Sequence, residues 1–222
     1  MLWKQLFTSS IGKKILLAFT GFFLIAYLIV HAAINAFIFF NDNGETFNTV
    51  ASFMLHNYVI RILEVGLFAG FVLHIVQGLI IWKQNNSARK IGYKKQNYLK
   101  EINWNSRVMG WLGTFILLFL VMHLYHFWIN TKSELYFHGP EINLYGQMKE
   151  IFTNPVWFVL YMIGLASLLF HLLHGFKSAF ETFGINNRKW TPVIRGIGIF
   201  YSVAICLLFA SMPLAFMLGW LQ

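Results

Sequence analysis

The sequence predicts an all-α integral membrane bundle of five transmembrane helices, on two observations. Five apolar runs are each long enough to cross a bilayer, which takes about 20 residues. Only 11% of the 222 residues are charged while 58% are hydrophobic, where a soluble domain carries about 25% charge. So little charge does not cover a water-facing surface of this size, but it suits a chain solvated by lipid. The whole chain, 1–222, is read as one transmembrane domain with helices at about 15–40, 59–82, 108–129, 155–180 and 193–220. Continuous apolar character without alternation makes them helices rather than strands.

The first run, Ile15–Phe40, follows a basic N-terminal segment. It is longer than the roughly 7–15-residue apolar core of a signal peptide and ends without a small-residue cleavage site, so it is expected to be retained. Polar segments divide the runs: Asn41-Asp42-Asn43-Gly44, then Gln84 to Arg107, then Thr131 to Asn154 with its His138-Gly139-Pro140 turn, then Asn186-Asn187-Arg188-Lys189. Pro192 suits the first turn of the last helix.

The net charge of +9 does not point to nucleic acid, because the basic residues fall between the apolar runs rather than on one patch. Fourteen Lys and Arg lie at the N-terminus and in the second and fourth connections, against Arg61, Lys132 and Lys149 on the other side. This asymmetry predicts a cytoplasmic N-terminus. Cys206 is the single cysteine and lies inside an apolar run, which excludes a disulfide framework, an iron–sulfur cysteine cluster and covalent haem attachment.

Of eight histidines, His31, His74, His123, His171 and His174 lie well within apolar runs, and the first four of these fall on four different runs. Ionisable residues at membrane depth are rare and face the bundle interior. A lone histidine there is ordinarily bonded to a neighbouring helix, but four at matched depths ask for more. At about 1.5 Å per residue, His31 and His123 lie about 25 and 24 Å from the basic edge, and His74 and His171 about 13 and 9 Å. The four sort into an outer pair and an inner pair, each able to clamp a metal between two helices. The runs offer no carboxylate or thiol at these depths to complete a zinc or copper site. Haem brings four nitrogens of its own and asks the protein for two axial ligands, so two b haems are expected.

Gly78 and Gly175 each follow a histidine at i+4, and Gly70 precedes His74 by four. These positions share the histidine's helix face, where a glycine lets a flat ring approach; helix–helix packing is the plainer use of such glycines. His126 and His174 follow His123 and His171 by three residues, and either could replace its neighbour as a ligand or contact haem or quinone. His56 and His138 are read as surface residues of outer loops. Arg61 and Glu64, at i and i+3, are read either as a self-neutralising pair or as a quinone-binding group.

The order of motifs resembles the cytochrome b subunit of succinate:quinone oxidoreductases, the succinate dehydrogenases and fumarate reductases, in the single-chain, two-haem, menaquinone-linked type. Leu-Ile-Val-His31-Ala-Ala-Ile-Asn, Gly44-Glu-Thr-Phe-Asn48, Arg61-Ile-Leu-Glu64, His74-Ile-Val-Gln-Gly78, Val-Met-His123-Leu-Tyr and Ser167 to Ile185 carry the resemblance, over about residues 12–215. It implies that His74 with His171 ligates an inner haem iron and His31 with His123 an outer one. It implies a menaquinone site near the outer haem, with Glu64 and Glu45 both candidates for its acidic residue and Arg61 beside them. It further implies a flavoprotein and an iron–sulfur partner on the cytoplasmic face of a bacterial inner membrane, with electrons passing between the iron–sulfur protein and quinone. The chain has no nucleotide loop, flavin motif or iron–sulfur cysteines, so it is not expected to oxidise succinate by itself. The basic connection from Lys83 to Arg107 could help dock the partners. Rival classes are the di-haem b subunit of another dehydrogenase, of hydrogenase or formate dehydrogenase type, and a haem-free transporter or scaffold.

Overall fold

The computed structural model describes residues 6–87, 100–137, 139 and 142–221, with the side chains of 100–107 left aside. Among the described residues the chain is helical, with no strand. Helix α1 spans Ser10–Asn35, α2 Glu45–His56, α3 Tyr58–Ser87, α4 Lys100–His123, α5 Asn130–Phe137, α6 Leu144–Thr153, α7 Pro155–Thr182 and α8 Trp190–Met217. Five stretches are long and apolar enough to cross a membrane: Ser10–Phe40, Tyr58–Ser87, Val108–Phe137, Pro155–Thr182 and Trp190–Met217. Arg89, Lys90, Lys94 and Lys95, which counted towards both topology and docking, lie outside the described residues, as do Lys4, His138 and Pro140.

Side-chain caps fix where the helices begin. Ser9 accepts a hydrogen bond from the Gly12 amide at 2.9 Å, and Asn154 accepts from Val156 at 2.9 Å, one residue before Pro155 in the first turn of α7. Each cap satisfies an amide that has no partner within its helix. At the far end of α1, a 3₁₀ segment, Ala36–Phe40, runs into Asn41, Asn43 and Gly44, all at positive φ. This is the break that the Asn-Asp-Asn-Gly run encodes, since Asn and Gly tolerate the left-handed region best. Gly44 is also packed so closely that an added Cβ would stand 2.2 Å from Cγ of Tyr145.

Two polar connections hold more helix than the sequence suggested. Residues 45–56 form α2, so His56 ends a helix, exposed, rather than lying in a loop. The segment read as a connection from Thr131 contains α5, continuous with the span before it, and α6. Helix α6 turns Tyr145, Met148, Ile151 and Phe152 inward onto Ile38, Phe47, Tyr161, Met212 and Phe216, capping one end of the bundle. The reason is amphipathicity: a one-sided apolar stripe on a short segment gains more by packing across the helix ends than by extending into water.

Helices α1, α3, α4 and α7 form a closed ring in which α1 packs on α3, α3 on α4, α4 on α7 and α7 on α1, while α8 lies along α7 and also touches α1. Apolar side chains on the outward faces, such as Ile62, Val65, Leu118, Val159 and Phe200, are left exposed, as expected of surfaces facing lipid.

Candidate functional site

The four-helix ring carries one of the four candidate ligand histidines on each member, His31 on α1, His74 on α3, His123 on α4 and His171 on α7. They meet as diagonal pairs across its interior. His31 and His123 have ring centroids 5.8 Å apart with the planes at 88°, and His74 and His171 are 6.2 Å apart at 70°. A metal–imidazole bond is about 2.0–2.1 Å and the ring centroid lies roughly 1 Å behind the nitrogen, so two imidazoles on opposite sides of one metal sit about 6 Å apart. Both pairs have that separation.

Buried polar atoms without partners concentrate here. Among the described residues the buried side-chain nitrogens and oxygens that lack a hydrogen bond are Nδ1 of His123, Nδ1 of His171 and Oε1 of Gln77. Gln77 stands one turn past His74 on α3. Buried polar groups are nearly always satisfied, and orphans mark strain or a functional site. No group of three or more His, Cys, Asp or Glu side chains that could hold a metal ion occurs among the described residues. Two imidazoles facing each other fit a metal that brings its own equatorial ligands, as haem iron does.

The glycines divide between two uses. A Cβ on Gly175 would meet nothing within 4 Å, and one on Gly78 only Leu17 at 3.9 Å. A Cβ on Gly70 would stand 2.9 Å from the Phe23 ring, so Gly70 serves the close approach of α3 to α1.

The His31–His123 pair is walled by aromatic rings. Tyr27 stacks on His31 at 5.4 Å, Phe119 on His123 at 5.7 Å, and Phe127 and Phe209 close the sides at 5.3 Å from His123 and 5.6 Å from His31. Tyr161 and Phe209 carried no signal in the sequence, being single aromatics in apolar runs, yet they help exclude water from the pair.

His126 and His174 have different surroundings. His126 is buried within a π-helical segment, Leu124–Ile129. Its Nδ1 lies 3.2 Å from the Tyr161 hydroxyl, and its ring stacks on Tyr161 and meets Trp157 edge-on at 4.5 Å. The Gln147 amide donates to its backbone carbonyl at 2.8 Å, satisfying an acceptor within the irregular turn. His174 lies half-buried one turn beyond His171.

The Arg61–Glu64 pair forms, with Nη1 to Oε2 at 2.6 Å. Glu64 also meets Lys132 at 3.5 Å and accepts a hydrogen bond from the Trp128 indole, while Arg61 donates to the Leu55 carbonyl. One carboxylate with two cations is an arrangement the i,i+3 spacing did not reveal, because Lys132 comes from another helix. Glu45 sits exposed in the first turn of α2. Beside it, Asp42 accepts hydrogen bonds from the Thr46 hydroxyl and amide and the Gly44 amide, and the Thr46 bonds above all hold its carboxyl below the usual range.

The succinate dehydrogenase cytochrome b558 subunit of Bacillus subtilis is 27% identical to this chain over 169 residues, covering 74% of this chain and 73% of the relative. The chain is similar to a succinate dehydrogenase cytochrome b subunit. This bears out the resemblance drawn from the order of the motifs, and with the five apolar helices it describes a multi-pass membrane protein. No family model matches the chain, and no solved structure matches it significantly.

Proposed function

We propose that this chain is the membrane-anchor cytochrome b subunit of a succinate:quinone oxidoreductase, carrying electrons between an iron–sulfur partner and menaquinone through two b haems. The observation that carries the reading is the pair of imidazole pairs, 5.8 and 6.2 Å between centroids, set diagonally across one four-helix ring. His74 and His171 would hold the inner haem, and His31 and His123 the outer one. A b haem between two imidazoles supplies reversible one-electron chemistry through its iron.

The chain's own part is to hold, orient and insulate. The rings of Tyr27, Phe119, Phe127 and Phe209 keep water from the outer pair, and Gly78 and Gly175 leave space beside the inner one. Helix α7 runs on to Thr182, eleven residues or about 16 Å past His171. That length supports an inner pair lying well inside the bilayer rather than at its edge. His126, engaged by Tyr161, stabilises the π-helical turn that follows α4 and is not an axial ligand in this reading; His174 contacts the inner haem or its surroundings.

Menaquinone reacts near the outer pair, where Glu64 or Glu45 handles protons and Arg61 orients Glu64. Reduction of a quinone takes up two protons, so a carboxylate near that surface suits the chemistry. The flavoprotein and iron–sulfur partners dock at the opposite, cytoplasmic face, that of the N-terminus, in a bacterial inner membrane. The basic stretch from Lys83 to Arg107 contributes to that docking.

The test is the set of alanine variants in the assembled complex. His74→Ala or His171→Ala removes one haem, and His31→Ala or His123→Ala removes the other, as read by redox titration of the visible bands. Loss of a haem from His126→Ala with both retained in His123→Ala would reverse the assignment on α4.

A further inference from the structure

Thr20 lies on α1, 54 residues before His74 and three turns before His31. It is buried, at 4% exposure. Its Oγ1 stands 2.9 Å from the Leu16 carbonyl, 3.1 Å from the Leu17 carbonyl and 3.2 Å from Nδ1 of His74. A threonine hydroxyl has one proton and two lone pairs. Two carbonyls can only accept, so that proton is directed at them, as is usual for a hydroxyl turned back on its own helix. With the proton so placed, what Oγ1 has left for His74 is a lone pair, and the contact is read with its proton on Nδ1.

The adjacent Gly21 brings α1 against the ring edge. A Cβ there would stand 3.4 Å from Cε1 of His74 and 3.8 Å from Nδ1. Thr20 and Gly21 thus form a seat for one edge of the imidazole. Its partner ring, His171, has no such bond, and its Nδ1 is one of the buried orphans.

We infer that Thr20 is a positioning residue for His74: its hydroxyl oxygen fixes the Nδ1–H tautomer and the ring plane, leaving Nε2 as the ligand atom. The inference rests on the reading of His74 as an axial ligand. Partners of this kind on a ligating histidine raise its basicity and fix its orientation, and losing one costs about 10–100-fold in metal affinity. A more basic ligand favours the oxidised iron, so losing the bond shifts the potential upward.

The experiment compares Thr20→Val and Thr20→Ser with the parent in the assembled membrane complex, by haem retention and redox titration. Thr20→Val keeps the shape and removes the acceptor. It should weaken retention of one haem by about 10–100-fold and raise that haem's midpoint potential, leaving the other haem in place. The affected haem should be the one that His74→Ala removes. Thr20→Ser, which keeps the oxygen, should restore parental retention and potential. Should Thr20→Val fail to assemble, Thr20→Ala, which only removes atoms, carries the same expectation. Parental values for both haems in Thr20→Val or Thr20→Ala would overturn the role of Thr20, and so would an effect on the haem lost in His31→Ala. If His74→Ala itself keeps two haems, the ligand reading fails instead, and the two failures are told apart.

Discussion

Replacing Tyr161 by phenylalanine removes one oxygen and leaves the ring, so it isolates a single bond beside the His31–His123 pair. The hydroxyl stands 3.2 Å from Nδ1 of His126, and both residues are buried at 4–5% exposure. The phenylalanine ring would keep the stacking on His126 and the edge contacts with Phe119 and Phe152 at 5.4 and 5.0 Å. What is lost is the partner of a buried imidazole nitrogen, and an unsatisfied buried polar group costs about 1–3 kcal/mol. Thermal unfolding of the detergent-solubilised complex should therefore show a clear drop in Tm. Both haems should remain at parental content and potential, because the bond serves His126 rather than a ligand. Loss of a haem from Tyr161→Phe would refute the assignment of His126 as structural. A parental Tm would refute the claim that this bond stabilises the π-helical turn.

Succinate–quinone activity should fall about tenfold or more in Glu64→Gln or Glu45→Gln variants that keep both haems, since proton transfer by a placed side chain is worth about 10²–10⁴-fold; full activity in both would exclude these carboxylates. The Asp42 carboxyl is held below its usual value by Thr46, so its contribution to the start of α2 is present above the unfolded value near 3.8 and fades as pH falls through the lower folded value. Hydrogen exchange at Gly44 and Thr46 should accordingly rise only below about pH 4 in the parent and be elevated at neutral pH in Asp42→Asn; parental protection in Asp42→Asn at neutral pH would count against this role.

The five spans were legible because their signal is continuous hydrophobicity over about 20 residues, which no other part of the chain imitates. The helices α2 and α6 were not, because twelve and ten residues of mixed polarity read as connection until a packing surface exists for them. The same distinction runs through the site. Four histidines on four apolar runs stand out from their backgrounds, and helix rise alone sorts them by depth. Thr20, Tyr161, Lys132 and Gln77 do not stand out. Thr20 and Tyr161 act on histidines 54 and 35 positions away, and Lys132 reaches Glu64 from another helix. Such partners are defined by the crossing of helices, which composition and spacing along one chain do not encode.

The central claim is that each histidine pair holds one haem. Pyridine haemochrome assay of the purified complex, set against chain concentration from amino-acid analysis, measures it directly. The account predicts two b haems per chain, and one per chain in each of His31→Ala, His74→Ala, His123→Ala and His171→Ala. A parent value of about one, or none, would contradict it.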